Sequence, residues 1–334
     1  MSFGATILDA DGLTLTKDEK AFFRDADPFG FILFARNIDA PDQVYGLCSE
    51  LRDAVGREAP ITIDQEGGRV QRLRGPTWRE WAPPLDFVRA ARDDAPRAMY
   101  LRYRLIAAEL KALTIDSNCA PMVDLVVNQT HAFLENRCYG SDVGAISEIG
   151  RAVADGHLDG GVLPVIKHIP GHGRTDLDSH YDLPRVDESL DTLREFDFAP
   201  FRALKDLPMG MTAHVVYSAI DEAPATLSRD TMALIRDDIG FDGLIMTDDI
   251  GMKALTGTPA DIATGALAAG CDVILYCNAP LSDRIDVANA AGRMTDAAQA
   301  RADAALAARK TPDDIDIADL NAELEALLGG RLDG

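Results

Sequence analysis

The densest group of reactive side chains in the sequence follows a short apolar run. Three of the six histidines fall between His168 and His180, Lys167 precedes the first of them, and Asp178 stands two residues before the last. A carboxylate beside an imidazole orients the ring and raises its basicity, which suits a proton donor and acceptor near neutral pH. Pro170 and the glycines around it interrupt any regular helix, so we predict a long loop.

Two other apolar runs end in carboxylates. Asp64 directly follows the run Ile61–Ile63, and a carboxylate in that position can accept two hydroxyl groups of a sugar or another diol. The run Gly243–Thr247 is followed by Asp248 and Asp249. Adjacent side chains of an extended chain point in opposite directions, so we expect one of these two carboxylates to enter a site.

Each of these segments also has a simpler explanation. A lone histidine at the end of a strand, such as His214, is more often structural than catalytic. Asp248 and Asp249 could cap the following helix, and the loop side chains could be solvated. A metal site is a further alternative, for which the candidate ligands are His168, His172, Asp178 and His180.

Eight short apolar runs must position these groups. Most are continuous rather than alternating, which is typical of strands buried on both faces of a parallel sheet. The runs are Ala5–Leu8, Phe31–Ala35, Ile61–Ile63, Asn118–Val123, Val162–His168, Gly210–Val215, Gly243–Thr247 and Asp272–Cys277.

Helical segments lie between the runs. Thr16 and Glu19 are spaced as a capping box, Ser228 is placed to cap a helix over Arg229–Ile239, and Glu188–Leu204 is amphipathic. Eight strands alternating with helices predict an α/β fold of the (β/α)₈ barrel type, in one domain over residues 1–334 with a helical extension from about residue 281. A doubly wound open sheet is the alternative, but no Gly-x-Gly-x-x-Gly follows the first run. In a barrel, the active site lies at the carboxyl ends of the strands, where the polar groups stand.

Charge and composition narrow the choice of partner. The chain has 33 Lys and Arg against 55 Asp and Glu, a net charge of −22, which argues against binding nucleic acid or an anionic membrane. No apolar run is long enough to span a membrane, and the first residues do not resemble a signal peptide. The five cysteines form no Cys-x-x-Cys pair, so we expect a reduced, cytoplasmic compartment.

Five stretches together carry a family resemblance. The chain resembles glycoside hydrolase family 3, and within it the compact bacterial branch of β-N-acetylglucosaminidases that act in peptidoglycan recycling. The stretches are Ile63-Asp64-Gln65-Glu66-Gly67-Gly68-Arg69-Val70, Lys167-His168-Ile169-Pro170-Gly171-His172-Gly173, Asp178-Ser179-His180, Met211-Thr212-Ala213-His214 and Thr247-Asp248-Asp249-Ile250-Gly251-Met252.

The resemblance implies a retaining hydrolase that forms a covalent glycosyl-enzyme. Asp248 takes the position of the nucleophile, and His180 paired with Asp178 takes that of the acid/base. The implied substrate is terminal β-linked N-acetylglucosamine of cytosolic muropeptides, with no cofactor and no metal ion. We place the substrate contacts at Asp64, Arg72, Arg137, Lys167, His168 and His214.

Four other activities stay open from the sequence. They are phosphorolysis in place of hydrolysis, another family 3 β-glycosidase activity, a metal-dependent barrel hydrolase and a sugar-binding protein without catalysis. The oligomeric state is not predicted. Arg69, Arg72, Arg137 and Lys167 all map to the expected mouth of the barrel, so we predict a mouth that is less negative than the rest of the surface.

Overall fold

A computed structural model describes residues 2–175 and 183–331. Eight strands form one parallel sheet at its centre, and buried aliphatic and aromatic side chains cover both faces of this sheet. The strands are β1 (Gly4–Asp9), β2 (Pro28–Leu33), β3 (Ile61–Ile63), β4 (Ser117–Asn118), β5 (Leu163–Ile169), β6 (Met209–Thr212), β7 (Leu244–Met246) and β8 (Ile274–Tyr276). Their order across the sheet is β7-β6-β5-β4-β3-β2-β1-β8.

The two ends of the sheet meet. Met246 and Val273 form a parallel bridge between the end of β7 and the start of β8. Beside it, the amide of Asp272 donates to the carbonyl of Ile245 at 2.8 Å, and the amide of Thr247 donates to the carbonyl of Val273 at 3.1 Å. The predicted (β/α)₈ barrel is therefore confirmed, in place of the open doubly wound sheet.

The fourth strand is shorter than the predicted run Asn118–Val123. Only Ser117 and Asn118 pair regularly, and Pro121 stands three residues further on. A proline has no amide hydrogen, so it cannot donate to a neighbouring strand. The chain nevertheless continues alongside β5, because the amide of Val123 donates to the carbonyl of Lys167 at 3.0 Å.

Helices surround the barrel. The predicted capping box is present, with the amide of Glu19 donating to Thr16 Oγ1 at 3.1 Å, and Ser228 caps its helix as predicted. The helices are α1 (Lys17–Ala26), α2 (Pro41–Val55), α3 (Pro84–Ala91), α4 (Ala95–Ala112), α5 (Ala132–Glu135), α6 (Val143–Asp159), α7 (Leu190–Glu195), α8 (Ala199–Ala203), α9 (Arg229–Leu234), α10 (Pro259–Ala269), α11 (Leu281–Ala291), α12 (Asp296–Ala307) and α13 (Ile317–Leu328).

Two predicted helices differ from the structure. The single amphipathic helix predicted over Glu188–Leu204 is wrong: α7 and α8 are separate, with Pro200 in the first turn of α8. The proline ring would clash with the carbonyl four residues before it, so one continuous helix cannot pass this point. The helix that begins at Arg229 widens after Leu234 into a π-helical turn over Ile235–Ile239.

The last helix, α13, packs against the outside of the barrel. Its Asn321 Oδ1 accepts a hydrogen bond from Arg79 Nη1 at 2.7 Å, and Glu323 forms a two-bond ion pair with Arg97 on α4. Through Arg79, this helix supports the segment that follows a short hairpin, whose strands are Gln65–Gly67 and Val70–Gln71. Within the described ranges, no helix has both the length and the apolar composition needed to cross a bilayer.

Candidate active site

A cavity of about 270 Å³ opens at the carboxyl ends of the strands. It brings together side chains that follow β3, β5 and β7, as a barrel requires. Two of the predicted residues, Asp178 and His180, lie outside the described residues. Six of the predicted residues line the cavity, namely Asp64, Arg72, Arg137, Lys167, His168 and Asp248.

A short hairpin after β3 shapes one wall. Its antiparallel strands are Gln65–Gly67 and Val70–Gln71. Gly67 and Gly68 turn the chain with φ angles of +108° and +57°, and a Cβ at Gly67 would lie 2.9 Å from the carbonyl oxygen of Ala82. This backbone conformation and this close approach both require glycine.

The hairpin returns Arg72 to the end of β3. Its Nη2 atom donates to Asp64 Oδ2 at 2.8 Å, and Lys167 Nζ at the end of β5 donates to Asp64 Oδ1 at 3.2 Å. Both oxygens of Asp64 are therefore fixed by cations from two different elements. The carboxylate that the sequence places as a sugar ligand is held rigidly at the wall of the cavity.

Glu66 shares Lys167 with Asp64 and adds one further cation, Arg137. Arg137 donates to both of its carboxylate oxygens, at 2.9 and 2.8 Å, and Lys167 Nζ lies 2.5 Å from Oε1. The side chains of Lys167 and Glu66 are each 2 % exposed, so this is a buried ion cluster. Buried charges need such partners, and here three cations, Arg72 included, face two carboxylates. The less negative mouth that the sequence suggests stays a prediction, because Asp248 and Asp249 border the same cavity.

The charges of this cluster persist across the neutral pH range. Burial alone would raise the pKa of Glu66, but Arg137 and Lys167 outweigh burial and lower that pKa to about 2. In the same way, Lys167 and Arg72 overcome burial and hold the pKa of Asp64 well below its usual range. Burial would lower the pKa of Lys167, yet the two carboxylates raise it. The wall therefore presents fixed charges that suit the hydroxyl groups of a sugar.

Asp248 lies at the end of β7 with its side chain 23 % exposed. Its Oδ1 accepts a hydrogen bond from the amide of Asp249 at 2.8 Å, and Oδ2 is 4.0 Å from His168 Nε2. Burial would raise the pKa of Asp248, but the charges of His168 and His214, together with the Asp249 amide, lower it. Asp248 is therefore an accessible carboxylate that is ionised at neutral pH, as a nucleophile must be.

Asp249 faces a different set of partners. Its Oδ1 accepts from the amides of Gly251 at 2.9 Å and Cys277 at 3.4 Å, which ties the end of β7 to the end of β8. Asp249 also borders the cavity, so both adjacent carboxylates reach it. Their roles differ: the hydrogen bonds from backbone amides to the Asp249 side chain fix the loop, and this loop presents Asp248 to the cavity.

His214 lies behind this loop. Its Nδ1 is 2.7 Å from Thr226 Oγ1, and its Nε2 is 3.1 Å from the carbonyl oxygen of Asp249. The side chain is buried and is not among the residues that line the cavity. Its contacts brace the loop of Asp248, so its predicted contact with substrate remains a prediction.

The sequence reasoning did not assign Asp124. This carboxylate is fully buried, and its Oδ2 accepts from His168 Nδ1 at 2.7 Å while its Oδ1 accepts from the amide of His172 at 2.6 Å. Asp124 directly follows the fourth apolar run, which is the same sequence signal that marks Asp64 and Asp248. For Glu66 the sequence shows only its place in the motif after β3 and no separate role.

The first part of the histidine loop is anchored. Thr130 Oγ1 donates to the carbonyl of Gly173 at 2.5 Å, and Arg174 Nε donates to Asp197 Oδ2 at 2.7 Å. In the part of the chain that the structure describes, no three His, Cys, Asp or Glu side chains are grouped so as to hold a metal ion. The metal alternative also involved Asp178 and His180, which are outside that part.

Known proteins resemble this chain over most of its length. The family model that matches residues 9–308 is the glycosyl hydrolase family 3 N-terminal domain. The β-hexosaminidase of Bordetella parapertussis is 35 % identical over 297 residues, covering 85 % of this chain and 84 % of that protein. The β-hexosaminidase of Pseudomonas aeruginosa is 37 % identical over 282 residues, covering 82 % of each.

Solved structures give the same picture. Native NagZ from Neisseria gonorrhoeae superimposes with a TM-score of 0.80 at 29 % identity, covering 98 % of each chain. The same protein in complex with N-trifluoroacetyl-D-glucosamine gives 0.80 at 28 % identity, covering 98 % of this chain and 99 % of that one. The β-N-acetylhexosaminidase of Beutenbergia cavernae gives 0.75 at 28 % identity, covering 98 % and 96 %.

Proposed function

The chain belongs to glycosyl hydrolase family 3, and on that premise we propose that it is a retaining β-N-acetylhexosaminidase that releases terminal N-acetylglucosamine. One observation carries the proposal: Asp248, ionised and accessible, faces a cavity whose opposite wall is a rigid cluster of charges suited to sugar hydroxyls. The names of the relatives and the sugar analogue bound to the gonococcal protein support the choice of sugar.

The proposed reaction proceeds in two displacements. In the first, a carboxylate oxygen of Asp248 forms a bond to the anomeric carbon as the glycosidic C–O bond breaks, and the protonated imidazole of His180 donates its proton to the departing oxygen. In the second, the neutral imidazole takes a proton from water, and the resulting hydroxide displaces Asp248. Two inversions retain the anomeric configuration.

The pairing of His180 with Asp178 replaces the second carboxylate of most retaining glycosidases. A neutral imidazole can activate water without placing another negative group beside an anionic nucleophile. The roles of both residues are assigned from the family resemblance. Asp64, Arg72, Arg137, Lys167 and His168 would bind the hydroxyl groups of the terminal sugar.

We propose cytosolic muropeptides as the natural substrates, and Arg69 supports this choice. Arg69 is exposed at the edge of the cavity, with its guanidinium 4.1 Å from the centre of the Phe133 ring. Within residues 2–175 and 183–331, no carboxylate oxygen lies within 4.0 Å of its nitrogens, whereas Arg72 and Arg137 are both paired. A substrate with carboxylates could bind Arg69.

The five buried, unpaired cysteines are consistent with a reducing cytoplasm.

Arg69→Gln should weaken the preference for an anionic leaving group. We expect kcat/KM for 3-carboxy-4-nitrophenyl β-N-acetylglucosaminide to fall about fivefold to tenfold, with less than a twofold change for the uncharged 4-nitrophenyl glycoside, since an exposed ion pair contributes about 1 kcal/mol. For each substrate, kcat/KM of the variant is divided by kcat/KM of the wild-type protein, so the difference in reactivity between the two leaving groups cancels. Arg89→Gln, an exposed arginine on α3 outside the cavity, is the control for net charge. Equal losses on both substrates would contradict the role of Arg69.

One assay tests the proposed activity. We expect release of 4-nitrophenol from the β-N-acetylglucosaminide at least about 100-fold faster than from the β-glucoside. A site that hydrogen-bonds the acetamido group would be left with unpaired polar groups by the glucoside, which lacks it. Phosphate should not accelerate turnover, and a chelator should not abolish it. Sugar 1-phosphate as the product would favour phosphorolysis, equal turnover of both sugars would favour another β-glycosidase, and turnover of neither would refute the proposal.

A further inference from the structure

Asp124, six residues after β4, connects its own segment to the end of β5 and to the loop that follows β5. Its side chain is 0 % exposed. Besides the bonds from His168 Nδ1 and the amide of His172, its oxygens accept from the amide of His168 at 3.2 and 3.3 Å. One buried carboxylate thus fixes both the backbone and the ring of His168.

The ring of His168 lies between two carboxylates. An ionised carboxylate only accepts hydrogen bonds, so the proton on Nδ1 must point to Asp124. Nε2 then faces the cavity, 4.0 Å from Oδ2 of Asp248. This distance is too long for a direct hydrogen bond but short enough for a substantial electrostatic interaction in a partly buried site.

We propose that Asp124 is a positioning residue, which acts through His168: because Asp124 holds the N–H of Nδ1, protonation of the ring places its second N–H, on Nε2, toward the carboxylate of Asp248 and keeps that carboxylate ionised. The inference rests on the proposed function for the identity of the nucleophile. It adds a residue that reaches neither the substrate nor the cavity. Asp124 would thereby set the tautomer and orientation of the only imidazole that the described residues place against Asp248 at 4.0 Å or less.

The groups around the His168 ring come from several elements. His172, on the loop after β5, has its ring 5.5 Å from that of His168, and burial, the largest cause, lowers the pKa of His172 to about 4. His172 is therefore neutral at neutral pH. Lys167 at the end of β5 and Arg137 after α5 are both paired with Glu66. Among the residues that the structure describes, the other titratable groups with a contact to the ring are Asp124 and Asp248.

Asp124→Asn tests the proposal with a side chain of the same shape. We expect kcat for the 4-nitrophenyl β-N-acetylglucosaminide to fall about 100-fold because the ring is misplaced, with KM raised less than about threefold because His168 is only one of the five proposed sugar contacts. The acid limb of kcat/KM, which reports the ionisation of the free enzyme, should move to higher pH by about half a unit or more. An unchanged acid limb would overturn the proposal.

A double-mutant cycle separates positioning from a general structural effect. In a His168→Gln background, Asp124→Asn should reduce kcat by a further factor of less than about three. The effects of two substitutions are not additive when one residue acts through the other. A full second loss of about 100-fold would show that Asp124 acts independently of His168. Asp272→Asn is the matched control: Asp272 is a buried carboxylate at the opposite end of β8, bonded to Arg236 and the amide of Ile245. It should lower the Tm without moving the pH profile.

Nuclear magnetic resonance tests the Asp124–His168 contact without turnover. The chain has six histidines, so selective ¹⁵N-histidine labelling gives a simple spectrum, in which the His168→Gln variant identifies the signals of His168. We expect a proton on Nδ1 of His168 in the wild-type protein and a changed ring signal in Asp124→Asn. The same signal in both proteins would refute the contact. A wild-type protein without turnover would refute only the proposed function.

Discussion

Asp248→Asn should abolish turnover while leaving the fold intact. Loss of a covalent nucleophile removes the reaction path itself, and we expect kcat to fall by about 10⁴-fold or more. The Tm should change by no more than about 2 °C, because Asp248 forms no ion pair shorter than 4.0 Å within the described residues. Initial rates with the 4-nitrophenyl glycoside and a thermal melt provide the two measurements.

Azide gives a sharper test of the same role. In Asp248→Ala, the space of the lost carboxylate can admit a small anion, which would attack the face of the sugar that Asp248 normally attacks. We expect azide to restore activity and to yield the α-glycosyl azide, whereas the wild-type enzyme yields the β-sugar as its first product, identified by ¹H NMR. Asp249→Asn, altered at the adjacent carboxylate, should not respond to azide. Full activity in Asp248→Asn would remove this residue from the proposed mechanism.

Glu66→Gln should produce the second large effect, on stability as well as on activity. The substitution leaves Lys167 and Arg137 buried, with Asp64 as the nearest remaining carboxylate. Breaking a buried ion pair from one side costs about 3–5 kcal/mol, which for a chain of this length corresponds to a fall in Tm of about 4–7 °C. KM should rise because both cations belong to the proposed sugar-binding wall. Differential scanning calorimetry and steady-state kinetics measure the two effects.

The effect of Glu66 depends on pH in a defined direction. Its pKa falls from an ordinary value of 4.5 to about 2 in the folded protein, because Arg137 and Lys167 outweigh burial. A depressed carboxyl pKa stabilises the fold above the unfolded value and loses that contribution as pH falls toward the folded value. The Tm of the wild-type protein should therefore decrease between about pH 4.5 and pH 2, and the difference from Glu66→Gln should shrink there.

Glu80→Gln is the control for this experiment. Glu80 pairs with Arg74 near the same hairpin, but its side chain is 55 % exposed. Exposed ion pairs contribute about 0–1 kcal/mol, so the Tm should change by no more than about 2 °C and activity should be retained. If both variants lost the same stability at every pH, the buried cluster would not be the cause.

Much of the site follows from one rule that can be applied to a sequence. A polar side chain in the last residues of a buried barrel strand, or directly after it, must lie at the mouth, and this rule places Asp64, Lys167 and Asp248 together. The rule does not say which neighbouring carboxylate binds which cation. Glu66 and Asp64 are two residues apart, and only the hairpin turn sends Glu66 down to Arg137. Tertiary contacts of this kind are not encoded in spacing.

The fold was predictable to a similar depth. Continuous apolar runs identified the eight strands, because a parallel sheet buries both faces. The errors lie where proline changes local geometry, at Pro121 in the fourth run and at Pro200 between α7 and α8. Composition favours an extended segment around Pro121 and a helix around Pro200. The missing amide hydrogen of Pro121 interrupts the strand pairing, and the ring of Pro200 interrupts the helix.

Ring closure connects the order of folding to the active site. The first strand and the last are neighbours, with Thr6 paired to Ile274, and β8 fits between β1 and β7. Pairings between distant parts of a chain form slowly, because a long loop must be closed first. The amide of Cys277 after β8 holds Asp249, the residue next to Asp248. A chain that had assembled its first seven strands would thus lack a bond that shapes the nucleophile loop, and hydrolytic activity would be gained together with the closing of the barrel.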